Sequence, residues 1–467
     1  MSKKTITTSI AYINAEPHIG FLFELVAADV LARYQRLQGD EVFFLTGTDE
    51  HGTKVEQAAK AANQEPKAFA DSIAAKFEAL TKDFNISNDF FIRTTDPNHV
   101  EFVKNAWNKL KTAGVLEKKT YSGFYCTGCE AFKTEREIID GKCVIHETAV
   151  EKIEEENWFF NISKFKSQIS KWIETAVFPN SKRTEVINIL EDFNEVSVSR
   201  PKSKLGWGIE VPDDSDQVLY VWIDALLNYL SGIEASGRKI ADFWPGTQLI
   251  GKDILKFHAI IWPALLLALG YKLPEKLLVH GWISVDGKKI SKSLGNVITP
   301  AELKERYGVD GARYLLLRQL NFYDDSNFVW SEFDSLYNGE LANGLGNLVA
   351  RAITLLKKYD GAGAVHEALK NKEKEEKYIE TGLEEYDFRG ELVNINDQIG
   401  IADAWFSKTR PWEWESPTSE QKALLIEGSR LLKIVDLIEP FIPATAAEIR
   451  RQLTELDPKP LFPRIEG

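Results

Sequence analysis

Two apolar rhythms alternate along the first fifty residues. "TITTSIAYI" (5–13) is rich in β-formers, and the turn "NAEPHIG" follows it. In "FLFELVAADVLARYQRLQG", Leu22, Val26, Val30, Tyr34 and Leu37 recur at steps of four and three. That spacing gathers the side chains on one face of a helix. Gly39 suits the helix's C-terminal cap. "DEVFFLTGTDEHG" (40–52) reads as the next strand and its exit turn. Strand, helix and strand make a β-α-β unit, which opens a doubly wound parallel sheet of Rossmann type.

Residues 53–114 read as mostly helical and, with the opening unit, form the first half of an α/β domain (1–114). Short strands and clustered cysteines between 115 and 215 indicate an inserted domain. The α/β texture resumes over 216–334, in "QVLYVWIDALLNYL", "TQLIGKDILKFHAIIWPALLLALG" and "KLLVHGWISVDGKKISKSLGN". From 335 to 467 strands vanish, and "SLYNGELANGLGNLVARAITLLKKY" and "SRLLKIVDLIEPFIPATAAEIRRQL" predict an α-helical bundle. "NKEKEEK" (371–377) is a solvated charge run, and no internal repeat is visible.

Composition narrows this picture. Hydrophobic residues at 44% and charged residues at 27% are ordinary for a globular chain. A net charge of −13 excludes a blanket nucleic-acid coat but leaves room for a local basic track. The most apolar run, "AIIWPALLLALG" (259–270), is short for a membrane span and holds a proline, so it reads as a buried helix. "MSKKTITTSIAY" has no apolar signal core. A cytoplasmic protein without membrane partners is expected. Three cysteines, an odd number confined to Cys126–Cys143, disfavour a disulfide framework.

Two short stretches suggest chemistry. His18-Ile19-Gly20 lies between the first strand and the first helix, where backbone N–H groups and the helix dipole favour phosphate. Taken alone it is also compatible with a structural turn histidine. "DGKKISKSLGNVITPAEL" (286–303) starts with an Asp-Gly turn and continues into a loop with Lys289, Ser291, Lys292 and Ser293. It ends in a Thr299-Pro300-Ala301-Glu302 capping box. A mobile loop with two lysines can clamp a triphosphate, although KxxK alone also describes a solvated basic loop.

Together, His18-Ile19-Gly20 and "KISKS" (289–293) resemble the paired signatures of the class I aminoacyl-tRNA synthetases, usually H-I-G-H and K-M-S-K-S. "HIGFLFELVAADVLARYQRLQGDEVFFLTGTDEHG", "YVWIDALLNY", "LIGKDILKFHAIIWPA" and "VHGWISVDGKKISKSLGN" resemble the methionyl branch of that family, and the likeness covers nearly the whole chain. It implies activation of L-methionine with ATP-Mg2+ and transfer to the terminal adenosine of tRNA(Met). By resemblance His18, Lys289 and Lys292 stabilise the transition state, and Gly20, Phe21, Glu24, Gly251, Asp253 and His280 join them around the nucleotide. Ile10, Tyr12, Asp49, Trp222, Ala225, Leu226, Tyr229 and His258 line the methionine pocket, with Asp49 holding the substrate ammonium. Such an apolar slot rejects a missing methyl weakly, so homocysteine is the expected mistake. Asn347 and Arg351, one turn apart on a helix, and Trp412, where Pro411-Trp412 opens another helix, match anticodon-reading positions.

"CTGC" (126–129) and "CVIH" (143–146) present Cys126, Cys129, Cys143 and His146. Four soft or imidazole ligands at this spacing suit one closed, structural zinc site, and the family often carries such a knuckle. A redox CxxC or buried thiols are the other readings. The chain ends soon after the bundle, where some family members add a dimerising barrel, so a monomer is expected. Two departures stand out. Phe21 occupies the position of the second signature histidine, and Ile290 that of the signature methionine. Phe21 leaves room for a catalytically weakened tRNA-binding paralogue. A tRNA-independent nucleotidylyltransferase would also carry the turn, but the helical bundle and the cysteine insertion count against it.

Overall fold

The computed structural model describes residues 2–126, 131–133, 135–145, 147–290, 295–372 and 381–466. Its main sheet is built outward from the first strand, Lys3–Thr8. That strand pairs in parallel with Glu41–Asp49 on one side and with Thr247–Gly251 on the other. Phe90–Arg93 follows Glu41–Asp49 in the sheet, while Lys276–His280 and then Val177–Phe178 follow Thr247–Gly251. Ala11–Tyr12 also pairs with the end of Glu41–Asp49. The chain thus leaves the central strand first in one direction and later in the other, as expected of a doubly wound sheet.

Alternation along the strands feeds two cores. Ile6, Phe44, Leu249 and Leu278 face a cluster shared with the first helix, the helical run Pro300–Gln319 and the C-terminal bundle. Phe43, Leu45, Ile250, Leu277 and Val279 face a second cluster with Trp107, Ile173, Leu230 and Trp262. The first helix, Ile19–Leu37, is buried on far more than the one face its rhythm indicated. The sheet covers one side and Pro300–Gln319 packs on another, so even Glu24 and Asp29 are buried. Gly39, just after its last turn, has φ of 89°, a conformation that favours glycine.

Phe90–Arg93 is a strand within the stretch expected to be mostly helical. Four residues are too few to show a period between flanking helices. Within the stretch expected as one inserted domain, an antiparallel sheet runs in the order Glu195–Ser197, Glu151–Asn161, Leu116–Cys126, Ala131–Lys133, while Val177–Phe178 joins the main sheet instead. A small hairpin pairs Ile138–Ile139 with Lys142–Cys143. After Ser326–Phe328 no strand occurs among the described residues. The helices there include Asn347–Lys358, Phe388–Thr409, Leu431–Ile438 and Pro443–Glu455. Pro411 opens no full helix. Left-handed Arg410 (φ 48°) ends Phe388–Thr409, and Pro411–Glu413 is a single 3-10 turn. No helix among the described residues is long and apolar enough to cross a membrane.

Candidate active site

A cleft of about 1190 Å³ opens where the main strands end. Ser9, Asp49, Gly251 and His280 all stand at carboxyl ends of strands, on either side of the point where the winding reverses. Ligands of doubly wound sheets bind in this crevice. Every described residue expected around nucleotide and methionine lines it: Ile10, Tyr12, His18, Gly20, Phe21, Glu24, Asp49, Trp222, Ala225, Leu226, Tyr229, Gly251, Asp253, His258, His280 and Lys289. Lys292 lies outside the described residues.

His18 caps the first helix. Its backbone is extended, and its Nδ1 accepts the Gly20 N–H at 3.0 Å. With Nδ1 accepting, the proton of the neutral ring sits on Nε2 as a donor. A Cβ at Gly20 would stand 2.9 Å from His18 Cε1, so a larger residue would push the ring off this bond. Phe21 meets Phe77 edge to face, with ring centroids 5.0 Å apart. Phe77 lies on the helix Pro66–Asp83, whose Lys76 also pairs with Glu16 of the turn.

Glu24, one turn further, is buried but well bonded. Its Oε1 accepts the Ser9 N–H at 2.6 Å and the Ser9 hydroxyl at 2.8 Å, and its Oε2 lies 2.9 Å from His280 Nε2. His280 Nδ1 faces the Gly281 carbonyl at 2.8 Å, so both ring nitrogens meet acceptors. Burial opposes a charge on His280. The bond and charge of Glu24, with the Gly281 carbonyl and Asp253, outweigh it and raise the histidine's pKa. Any positive charge the ring takes up is met by the Glu24 carboxylate at the nucleotide end of the cleft.

The apolar end is built differently. Trp222 and Phe257 stack at 3.8 Å, and His258 meets Trp222 edge-on. His258 Nδ1 donates to the Ile254 carbonyl at 3.1 Å, which leaves Nε2 to accept the Tyr229 hydroxyl at 2.7 Å. Burial pushes the pKa of His258 down to about 4, against a smaller opposing effect of the Ile254 carbonyl, so the ring is neutral. Behind Asp49, which is 6% exposed, Arg93 grips Glu50 through two bonds of 2.6 and 2.8 Å. His51 and His99 each reach the buried Asp224 at 2.7 Å, tying the Asp49 turn to the helix Val221–Leu226 that carries Trp222. Sequence reasoning missed Glu50, His51, His99 and Asp224, and also Arg200, a buried cation lining the cleft. The adjacency of Glu50 and His51 to Asp49 was the only available signal.

Lys289 closes a turn made by Asp286 and Gly287, both left-handed, between Ile283–Val285 and Lys288–Lys289, as the Asp-Gly pair predicts. Its Nζ lies 5.3 Å from the centre of the Trp282 ring. Thr299 and Glu302 form the expected capping box. In the bundle, Asn347 is exposed and Arg351 lies on the same helix, paired with Asp403 and 4.2 Å from the Phe406 ring centre. Trp412 is 42% exposed, and its carbonyl accepts from Lys358 at 3.2 Å. Lys358 stands about 10 Å along the helix from Arg351.

In the insertion, Cys126 and Cys143 are both buried. Cys126 Sγ lies 3.9 Å from the Thr148 hydroxyl, and the Cys143 N–H donates to the Thr148 carbonyl at 2.9 Å. Thr148 thus touches the Cys126 thiol through its side chain and the Cys143 backbone through its carbonyl. Cys129 and His146 lie outside the described residues.

A family model described as tRNA synthetases class I (M) matches residues 4–143 and 135–353. A methionine–tRNA ligase of Caldanaerobacter subterraneus is 40% identical over 97% of this chain and 74% of its own length. That of Thermotoga maritima is 38% identical over 99% of this chain and 77% of its own. The solved Mycobacterium tuberculosis methionyl-tRNA synthetase in complex with methionyl-adenylate superposes with a TM-score of 0.86 at 33% identity, covering 100% of this chain and 99% of that one. With identity at this level along almost the whole chain, and a cleft placed where such a sheet binds nucleotides, the chain belongs to the methionine–tRNA ligase family of class I tRNA synthetases.

Proposed function

We propose that this chain activates L-methionine with ATP-Mg2+ and transfers it to the terminal adenosine of tRNA(Met). The observation that carries this reading is the convergence of nucleotide and amino-acid residues on one cleft. The methionine carboxylate attacks the α-phosphorus of ATP, and the bond to the bridging oxygen of the β-phosphate breaks. Pyrophosphate leaves and methionyl-adenylate remains. A ribose hydroxyl of the terminal adenosine then attacks the methionyl carbonyl carbon, and AMP departs. Positioning and charge stabilisation suffice, without a side-chain nucleophile. His18 Nε2–H, Lys289, Lys292 and His280 answer the charge on the phosphates. Asp49 holds the substrate ammonium, while Trp222, Tyr229 and His258 enclose the thioether. Mg2+ arrives on the ATP phosphates and needs no dedicated protein cage.

The bundle reads the anticodon through Asn347, Arg351 and Trp412. The exposure of Trp412 supports a ring that stacks on an unpaired base. The burial of Cys126 and Cys143 supports a structural zinc site held by these two with Cys129 and His146. The zinc, when bound, cross-links the insertion and does no chemistry. The protein works in the cytoplasm. Methionine-dependent ATP–pyrophosphate exchange, run beside charging of tRNA(Met), tests the reading. Both activities are expected. Exchange without charging would reduce the chain to a nucleotidylyltransferase, and neither activity would leave a paralogue.

A further inference from the structure

Arg313 is fully buried, yet it touches no part of the cleft. Its Nη2 donates to Asp29 Oδ2 at 2.7 Å and to the Pro440 carbonyl at 3.2 Å. Its Nε reaches the Phe441 carbonyl at 2.8 Å and its Nη1 the Phe84 carbonyl at 3.1 Å. Asp29 is equally buried, and its carboxylate also accepts Arg33 Nε at 2.7 Å and the Ser87 N–H and hydroxyl, each at 2.6 Å. Burying an ion pair costs desolvation that a well-packed apolar pair would avoid, so such a pair is weak evidence for stability and better attested as a fixer of register.

The elements it joins are the relevant ones. Asp29 lies on the helix that starts at His18-Ile19-Gly20. Arg313 lies on Pro300–Gln319, the helical run that leaves the KISKS loop, kinked at Gly308. Pro440 and Phe441 form the turn between Leu431–Ile438 and Pro443–Glu455 of the bundle. A second stitch lies beside the motifs, where the Ile19 N–H donates to the Ile298 carbonyl at 3.0 Å. A third ties Asp310 of the same run to the Thr445 N–H at 2.5 Å.

We infer that Asp29 and Arg313 are positioning residues that lock the helix opening at His18 and the helical run that follows the KISKS stretch to each other and to the anticodon-side bundle, so that the bundle's placement sets the register of the two helices next to the motifs. The part concerning the bundle rests on the tRNA reading above; the part concerning the two motifs does not. Two conservative variants separate the ties. Asp29→Asn keeps shape but removes the charge pair. Arg313→Lys keeps a charge for Asp29 but cannot also span Phe84, Pro440 and Phe441. Rates are taken per active site, counted by the adenylate burst, so that misfolded protein drops out.

Asp29→Asn is expected to lower the exchange kcat at least tenfold with the KM for methionine and ATP within twofold. Arg313→Lys should hold exchange within threefold and lower the charging kcat at least tenfold. Asp310→Ala, which cuts only the smaller tie, should show the same excess of charging loss at two- to fivefold. Full kcat per active site in Asp29→Asn, with only a lower Tm, would overturn the register role. Equal losses of exchange and charging in Arg313→Lys and Asp310→Ala would overturn the coupling to the bundle. A natural chain that exchanges but never charges would overturn the tRNA reading and the bundle coupling with it, while the Asp29→Asn exchange result still decides the register of the motifs.

Discussion

Phe21 takes the place of a histidine that would point a donor at the nucleotide, and the structure gives its ring a neighbour, Phe77, at 5.0 Å. A histidine put there would meet an aromatic edge shaped for an apolar ring. Among the described residues, His18, whose Nδ1 is taken by the Gly20 N–H, His280 and Lys289 all line the cleft. Clear methionine-dependent exchange is therefore expected of the natural protein, with little change or a decrease in Phe21→His. His18→Ala should lose roughly a hundredfold. Exchange rates of the three proteins decide it, and an inactive natural chain revived by Phe21→His would reverse the argument. His258 sets a pH dependence. Its folded pKa of about 4 lies below the usual 6.5, so the unfolded chain binds the extra proton first. The neutral ring's contribution to stability is whole above about pH 6.5 and fades by about 3 kcal/mol as pH falls towards 4. Urea melts across that window should show a flatter acid limb in His258→Gln.

Among the elements, those with a local signature were legible from the sequence. The Asp286-Gly287 turn, the Thr299 capping box and the opening strand, helix and strand each depend on a few adjacent residues, and each is present. Elements set by distant partners were not. The burial of the first helix on several sides depends on Pro300–Gln319, and Glu50–Arg93, His51–Asp224 and Arg313–Asp29 join residues 43, 173 and 284 positions apart. The cleft lining was legible because the resemblance supplied it. The polar network behind it was not, because nothing local distinguishes a buried histidine from an exposed one. Ile290 belongs to the legible group. It packs against the main core and also lines the cleft, as an apolar plug of methionine's size should. Ile290→Met should keep exchange within tenfold of the natural protein, and a larger loss would show that the plug's shape matters. Trp412, on its 3-10 turn, belongs to the bundle rather than the cleft. Trp412→Ala should weaken charging of tRNA while exchange stays nearly intact, and equal losses in both assays would give the ring a structural role instead.

The whole molecule joins a catalytic sheet, an insertion and a bundle, and the insertion offers its own test. One zinc per chain is expected on Cys126, Cys129, Cys143 and His146, measured as metal content of replete protein. Cys143→Ser should release the metal and loosen the insertion while ATP binding persists. Metal-free protein from a replete preparation would return the cysteines to a redox or buried-thiol role. The order of the main sheet also bears on how the molecule is made. Lys3–Thr8 finds one neighbour in Glu41–Asp49 almost at once, but its other neighbour, Thr247–Gly251, leaves the ribosome much later. At about 5–20 residues per second that delay is on the order of 10–50 s. Throughout it the nascent chain carries a bare parallel edge, and the helix beginning at His18 still lacks Pro300–Gln319. An unpaired edge beside exposed apolar surface is a template for aggregation. A sheet formed from the first half alone would present that edge to other chains until the second direction of winding emerges.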